Sequence, residues 1–204
     1  MLIDRKEEME LKLIGLYGPS RAGKDSVAAI LRDDFGFQLK AMAEGIRDIL
    51  VGLNPKIKDN EGVVWNLVDL LKYCGYNWDE VKSQSRESVD YMIRLGQTCR
   101  DVLGETVWLN RVLPPGDSNL GSICISDIRQ PNEYNEIKNR DGQIWRISRP
   151  GTEKRGMDGL LDHLDFDAHI NNRGSLSDLR GIVAATISAD ITKREQRKGY
   201  GVRF

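Results

Sequence analysis

Short apolar runs alternate along this chain with stretches in which apolar residues recur every three or four positions. Leu11 to Tyr17 predicts a strand, and the stretch from about Lys24 to Asp33 predicts a helix. Phe35 to Met42 reads as a second strand and Glu44 to Leu53 as a helix. Residues 54 to 115 are mostly helical in pattern and contain no good strand. Ser122 to Ser126 is a short apolar strand, Pro131 to Arg140 a helix, and Gln143 to Ile147 and Phe166 to Ile170 two more strands. Ser175 then opens the last helix, with Asp178 three residues on as a near capping box. Strands separated by helices imply βαβ units and a mainly parallel sheet. The long helical stretch exceeds a simple crossover. It reads as an insertion over the C-terminal edge of the sheet, where ligands bind in such folds.

Composition narrows the picture little. With 204 residues the chain makes one domain, or one with an insertion. A formal net charge of −1 argues against a dedicated nucleic-acid binder, so no stable nucleic-acid partner is expected. No apolar run reaches the roughly 20 residues that span a membrane, and the charged start MLIDRKEEMELK lacks the apolar core of a secretory signal. Cys74, Cys99 and Cys124 are scattered and without metal-ligand spacing; they read as reduced thiols of a cytoplasmic protein.

Candidate chemistry begins directly after the first strand. Gly18-Pro19-Ser20-Arg21-Ala22-Gly23-Lys24 spells G-x-x-x-x-G-K, the start of a phosphate-binding loop, in the strand-to-helix context that loop requires. Its glycines let backbone N–H groups turn inward at phosphate oxygens, and Lys24 reaches the β- and γ-phosphates. The usual next residue is Ser or Thr, a magnesium ligand; here it is Asp25, and the hydroxyl comes one place later at Ser26. Three readings stand. Ser26 ligates the metal, Asp25 holds it through water, or Asp25 only caps the helix. Asp127, after the apolar run Ile123-Cys124-Ile125, stands at a strand's C-terminal end, where a second carboxylate would meet that magnesium; capping the turn before Pro131 is the alternative. Arg129 contacts phosphate or pairs with Glu133 on the surface.

In the insertion, Val89, Met92, Ile93, Gly96, Cys99 and Leu103 fall on one helical face at about 100° per residue. Arg100 falls within that face and Arg94 nearly opposite. An arginine on an apolar face needs an anion, because burying it unpaired is costly. The anion is a structural carboxylate such as Glu105, or the phosphate of a second substrate.

Four stretches together resemble the deoxynucleoside monophosphate kinases of tailed bacteriophages, a branch of the adenylate-kinase-like P-loop kinases: "GPSRAGKDSVA", "LGQTCRDVLGETVWLN", "ISDIRQPNEYNEIKNRDGQIWRISRPG" and "FDAHINNRGSLSDL". The first is similar to that family's G-K-D-[ST] loop, the second to its L-G-T-E-x-x-R-D…W pattern with Arg100 and Trp108 in place. The third resembles I-S-D-x-R-x-P-N-E, matching Asp127, Arg129, Asn132 and Glu133, and the fourth D-x-x-I-x-N-x-G, which places Asn172. Gln97 and Thr98 stand where Thr and Glu are usual, and the segment after Arg149 is shorter than the family's.

The resemblance implies a three-layer α/β P-loop NTPase fold of about five parallel strands. It would be a single kinase domain over 1–204, with a helical acceptor-binding insertion at 54–115 and a lid at 149–165. It implies ATP and Mg2+ as cofactors and transfer of the γ-phosphate of ATP to a (deoxy)nucleoside monophosphate. Lys24, Arg100, Asp127, Arg129 and Arg149 would be catalytic. Gly18, Ser20, Arg21, Ala22, Gly23, Lys24, Asp25, Ser26 and Asn172 would hold the nucleotide, and Asp25, Ser26 and Asp127 the metal. In the lid segment Arg149, Lys154 and Arg155 are the basic candidates, a solvated basic loop being the other reading. A phage origin would set the protein in the host cytoplasm. A homodimer, base preference and deoxy-versus-ribo selectivity stay open. So do the alternatives of a P-loop kinase for another small acceptor and a nucleotide-dependent assembly ATPase.

Overall fold

A strand buried on both faces needs a helical layer on each side, and Leu13–Tyr17 is such a strand. The computed structural model describes residues 13–116, 121–152 and 159–200, without the side chains of 191 and 193–200. In chain order the elements are β1 (Leu13–Tyr17), α1 (Lys24–Phe35), β2 (Gln38–Lys40), α2 (Met42–Leu53), β3 (Lys56–Lys58), β4 (Val64–Asn66), α3 (Leu67–Tyr73) and α4 (Trp78–Gln84). They continue with α5 (Arg86–Leu103), α6 (Val107–Val112), β5 (Ile123–Ile125), α7 (Pro131–Asn139), β6 (Gln143–Ser148), β7 (Ala168–Asn171) and α8 (Leu176–Tyr200). The chain divides into two compact units, Met1–Ala41 with Gly116–Phe204, and Met42–Pro115.

The first unit is built on a five-stranded sheet ordered β2-β5-β1-β6-β7, with every pairing parallel. Alternation along β1 assigns its two faces. Ile14 and Leu16 pack in one cluster with Val27 and Leu31 of α1 and with Leu179, Val183 and Ile187 of α8. Gly15 faces the other way, where an added Cβ would meet Ile128, Ile137 of α7 and Ile144 within 2.7–2.9 Å. Each fully buried aliphatic side chain here contributes about 1.5–3 kcal/mol. The result is a three-layer α/β fold with β1 at its centre. The N–H groups of Gly36 and Phe37 close α1 on the carbonyls of Arg32 and Leu31, so the helix runs to Phe35 and the following strand is shorter than the sequence pattern suggests. Ser175 caps α8: its Oγ accepts from the Asp178 N–H at 3.2 Å and the Asp178 carboxylate accepts from the Ser175 N–H at 2.8 Å. No helix among the described residues is long and apolar enough to cross a membrane.

In the second unit Leu50, Ile57, Leu67, Leu70, Leu71 and Val81 form one buried cluster, and Met42, Trp108, Leu109, Val112 and Leu113 are buried as well. It corrects the expectation that residues 54–115 hold no strand: β3 and β4 form an antiparallel hairpin, Lys56 opposite Asn66 and Lys58 opposite Val64. Asp59 makes its turn. One carboxylate oxygen accepts from the N–H groups of Glu61 and Val63 and the other from the Trp65 indole, at 2.8–3.0 Å. Ser85 caps α5 and donates its own hydroxyl to the Lys58 carbonyl, tying that helix to the hairpin.

Candidate active site

The glycine loop leaves β1 tightly braced. A Cβ at Gly18 would collide with the Ile147 carbonyl oxygen of β6, and one at Gly23 with the Asn172 amide. Gly23 also sits at φ 100°, where L side chains are strained. Asn172 is buried beneath the loop; its amide donates to the Ala22 carbonyl at 3.0 Å while its own N–H bonds the Ser148 carbonyl at 2.7 Å. That geometry makes Asn172 a brace of the loop. Ser20 and Arg21 are exposed at the loop's crest, Arg21 in the left-handed region at φ 64°. Lys24 opens α1 and folds its ammonium back over the loop, donating to the Gly18 and Pro19 carbonyls at 2.7 and 2.8 Å. Gly23 has no side chain with which to cap that helix, so first-turn N–H groups are disposed toward an anion.

Asp127 stands next to this loop. Gly15 is level with Ile125, the last residue of β5, and Asp127 follows two residues beyond that strand end. The Ile128 N–H bonds the Leu16 carbonyl and keeps the chain alongside β1 there. Burial, and secondarily the Asp127 charge, push the Cys124 thiol up, so it stays protonated. All three cysteines are free. Arg129 is half-buried nearby. Glu133 is buried and not at the surface; its carboxylate accepts from the Arg129 and Gln130 N–H groups at 2.7 and 3.0 Å.

Asp25 is exposed in the first turn of α1 and Ser26 half-buried beside it. Like Asp127, both carry hard oxygen donors. Among the described residues no group of three or more His, Cys, Asp or Glu could hold a metal ion. A sparse oxygen set of this kind fits Mg2+, which keeps several waters and takes its remaining ligands from substrate phosphates.

Beyond the loop, a cavity of about 180 Å³ opens among Tyr17, Pro19, Ser148, Arg149, Thr152 and Asp162. Arg149 follows directly on β6, at the same C-terminal edge of the sheet as the loop and Asp127. Thr152 returns its N–H and hydroxyl to the Arg149 carbonyl, forming a turn. Lys154 and Arg155 lie outside the described residues. Tyr17, Arg146 and Asp162 were not legible as site residues: they meet across 145 positions of sequence.

In the unit Met42–Pro115, the packed face of α5 differs from the expected one. Ile93 and Leu103 are 61% and 67% exposed, and the packed side runs through Ser88, Tyr91, Met92, Leu95 and Gly96. Gly96 lets Ile46 of α2 approach and accepts the Trp108 indole N–H at 3.0 Å. Arg100 is half-buried on this helix and Arg94 exposed; Gln97 bonds Asp101. A second arginine went unnoticed in the sequence. Arg47 of α2 sets its guanidinium 5.8 Å from the Trp78 ring centroid, and its Nε is buried with no hydrogen-bond partner. The signal was present: Arg47 shares a helical stripe with the buried Leu50, three residues on.

A strand-loop-helix phosphate site at the central strand of a parallel sheet is the architecture of P-loop nucleotide-binding proteins. No protein-family model matches the chain, and no curated protein matches it. Among the solved structures it is similar to are a mutant APS kinase from Mycobacterium tuberculosis (10% identical, covering 87% of this chain and 96% of that chain, TM-score 0.40). Others are a dephospho-CoA kinase from Campylobacter jejuni (12%, 89% and 98%, TM-score 0.49) and TT1252 from Thermus thermophilus (16%, 87% and 97%, TM-score 0.36). At these identities and TM-scores none of the likenesses bears on the chain's activity.

Proposed function

We propose that the chain is a kinase that moves the γ-phosphate of ATP onto the phosphate of a (deoxy)nucleoside monophosphate. The observation that carries the reading is the braced glycine loop, with Lys24 folded over it and Asp127 just beyond the C-terminal end of the neighbouring strand β5. In such a site Lys24 leaves its carbonyl partners for the β- and γ-phosphate oxygens and neutralises charge that develops during transfer. Ser26 and Asp127 would hold magnesium, with Asp25 reaching it through water; the ion, when bound, offsets charge on the donor phosphates. The nucleophile is an oxygen of the acceptor's own phosphate, already ionised at neutral pH, so no general base is needed. Arg149, at the mouth of the cavity beside Pro19, and Arg129 add positive charge on the donor side.

Acceptor recognition is assigned to the unit Met42–Pro115. Arg47 supports this: its charge already acts on Asp79, yet its buried Nε has no hydrogen-bond partner, a cost that an acceptor oxygen would relieve. Arg100 joins it through the phage-kinase resemblance of its sequence. The test is a coupled ADP-release assay over all deoxy- and ribonucleoside monophosphates, with ATP alone as the control. A kinase stays nearly idle until its acceptor is added. Rapid ADP release from ATP alone, unaffected by any monophosphate, would replace this reading with that of an ATPase.

A further inference from the structure

The segment between β6 and β7 leaves the sheet at Arg149 and returns at Ala168. Its return leg is tied down by a closed ring of four side chains. Tyr17, the last residue of β1, donates its hydroxyl to Asp162 Oδ1 at 3.0 Å and accepts the Gly159 N–H at 2.9 Å. Arg146 stands opposite Tyr17 in the parallel register and reaches the same Asp162 oxygen at 3.0 Å. The Tyr17 ring stacks on Phe166 at 5.3 Å and 10°, and the Arg146 guanidinium lies 5.4 Å from that same ring.

Core burial alone would be served equally well by phenylalanine at position 17. The hydroxyl adds two bonds to a leg more than 140 residues away, from the residue whose peptide leads straight into Gly18. Gly18 in turn holds Lys24 through its carbonyl. One foot of the segment is therefore fixed by β6 itself and the other by Tyr17, and the cavity lined by Pro19 and Arg149 lies between them.

We propose that Tyr17, with Asp162 and Arg146, is a positioning clamp that holds the return leg from Gly159 to Phe166 on the end of β1, and so fixes the wall that lines one cavity with Arg149 and Pro19. The inference rests on the kinase reading for its catalytic consequence but not for the clamp itself. Burial, and then the neighbouring Asp162 charge, hold the Tyr17 phenol above its ordinary range, so it remains a donor throughout neutral pH.

Tyr17→Phe keeps the stack on Phe166 and deletes both bonds. The expected result is a rise in KM for ATP of about tenfold, the low end for a lost hydrogen bond to a charged group, with acceptor KM unchanged. The rise should vanish in an Arg149→Ala background, because the clamped leg and Arg149 line the same cavity. Hydrogen exchange at the Gly159 amide should quicken at least about tenfold, an outcome independent of catalysis. Should Tyr17→Phe fold poorly, Asp162→Asn, which weakens the ring without removing it, should give the same ATP defect at a smaller size. Effects that add with Arg149→Ala, or a lower Tm with KM untouched, mean a merely structural tyrosine and overturn the clamp. Faster Gly159 exchange in a protein whose wild type phosphorylates no acceptor supports the clamp and sinks the kinase reading. Unchanged exchange in an active kinase sinks the clamp alone.

Discussion

In the sheet-bearing unit, polar machinery rests on buried supports: Asn172 under Ala22, the Ile147 carbonyl against Gly18, and a continuous aliphatic cluster beneath. In the unit Met42–Pro115 the supports are polar turns and caps, half-buried at Asp59, exposed at Asn77 and buried at Ser85 and Ser88. Around its buried cluster Leu53, Val64, Tyr73, Tyr76, Val102 and Leu103 are exposed. Side-chain bonds to backbone do the stitching instead, through Asp59, Asn77, Ser85 and Ser88. A phosphate loop needs fixed N–H directions before its ligand arrives, which a dense core supplies. A surface held by caps and turns opens locally at low cost, which suits groups that must close around a second molecule. Substitutions in the first unit should therefore cut turnover with stability kept, and those in the second should act on acceptor affinity.

The strongest test of that contrast is Lys24→Ala, which should lower turnover about a thousandfold or more while the melting temperature stays within a few degrees. Near wild-type turnover in a folded variant would remove the loop from the chemistry. Asp127→Asn comes next: a loss of about a hundredfold at low magnesium, partly regained as magnesium is raised. A sharp fall in melting temperature with unchanged magnesium dependence would instead make Asp127 a structural cap. In the helical unit, Arg100→Lys keeps the charge but loses the planar fork. Acceptor kcat/KM should drop roughly ten- to hundredfold with ATP KM unmoved, while Arg94→Lys, exposed on the same helix, serves as the control. Equal mild effects at both positions would mean the acceptor phosphate lies elsewhere.

The smallest effect concerns the hairpin. The Trp65 indole bond, followed by the Val63 and Glu61 N–H bonds, holds the Asp59 carboxyl below the usual carboxylate range against a partial desolvation cost. Because the folded-state value is depressed, the stabilisation is present above the unfolded carboxylate range and is lost as pH falls through the folded value. The Trp65 indole N–H resonance, followed by NMR on acidification, should shift with a midpoint below that of an ordinary aspartate. A midpoint at the ordinary value would mean the turn is not held by this carboxylate.

The parallel sheet and the loop were legible because each is written locally: an apolar run, then glycines at fixed spacing, then a helical period. The β3–β4 hairpin was not, since three-residue strands are too short for alternation to stand out, although Asp59-Asn60-Glu61-Gly62 is a turn signal. The apolar stripe of α5 does not coincide with its packed face, since Ile93 and Leu103 are apolar yet exposed, whereas Tyr91 and Leu95 carry the packing. Asp127 could be placed by counting from the end of a strand. The Tyr17–Asp162 contact could not, because only the folded sheet brings the two together.

The bond from Asn172 to Ala22 joins residues 150 positions apart. On a ribosome, the loop is therefore made early and finished late: β1 and α1 emerge first, but the brace arrives only with the strand that closes the sheet. A nascent chain stopped before residue 172 has the whole G-x-x-x-x-G-K sequence and lacks its support. Nucleotide binding should accordingly appear abruptly near the end of synthesis, after this long-range pairing has been made.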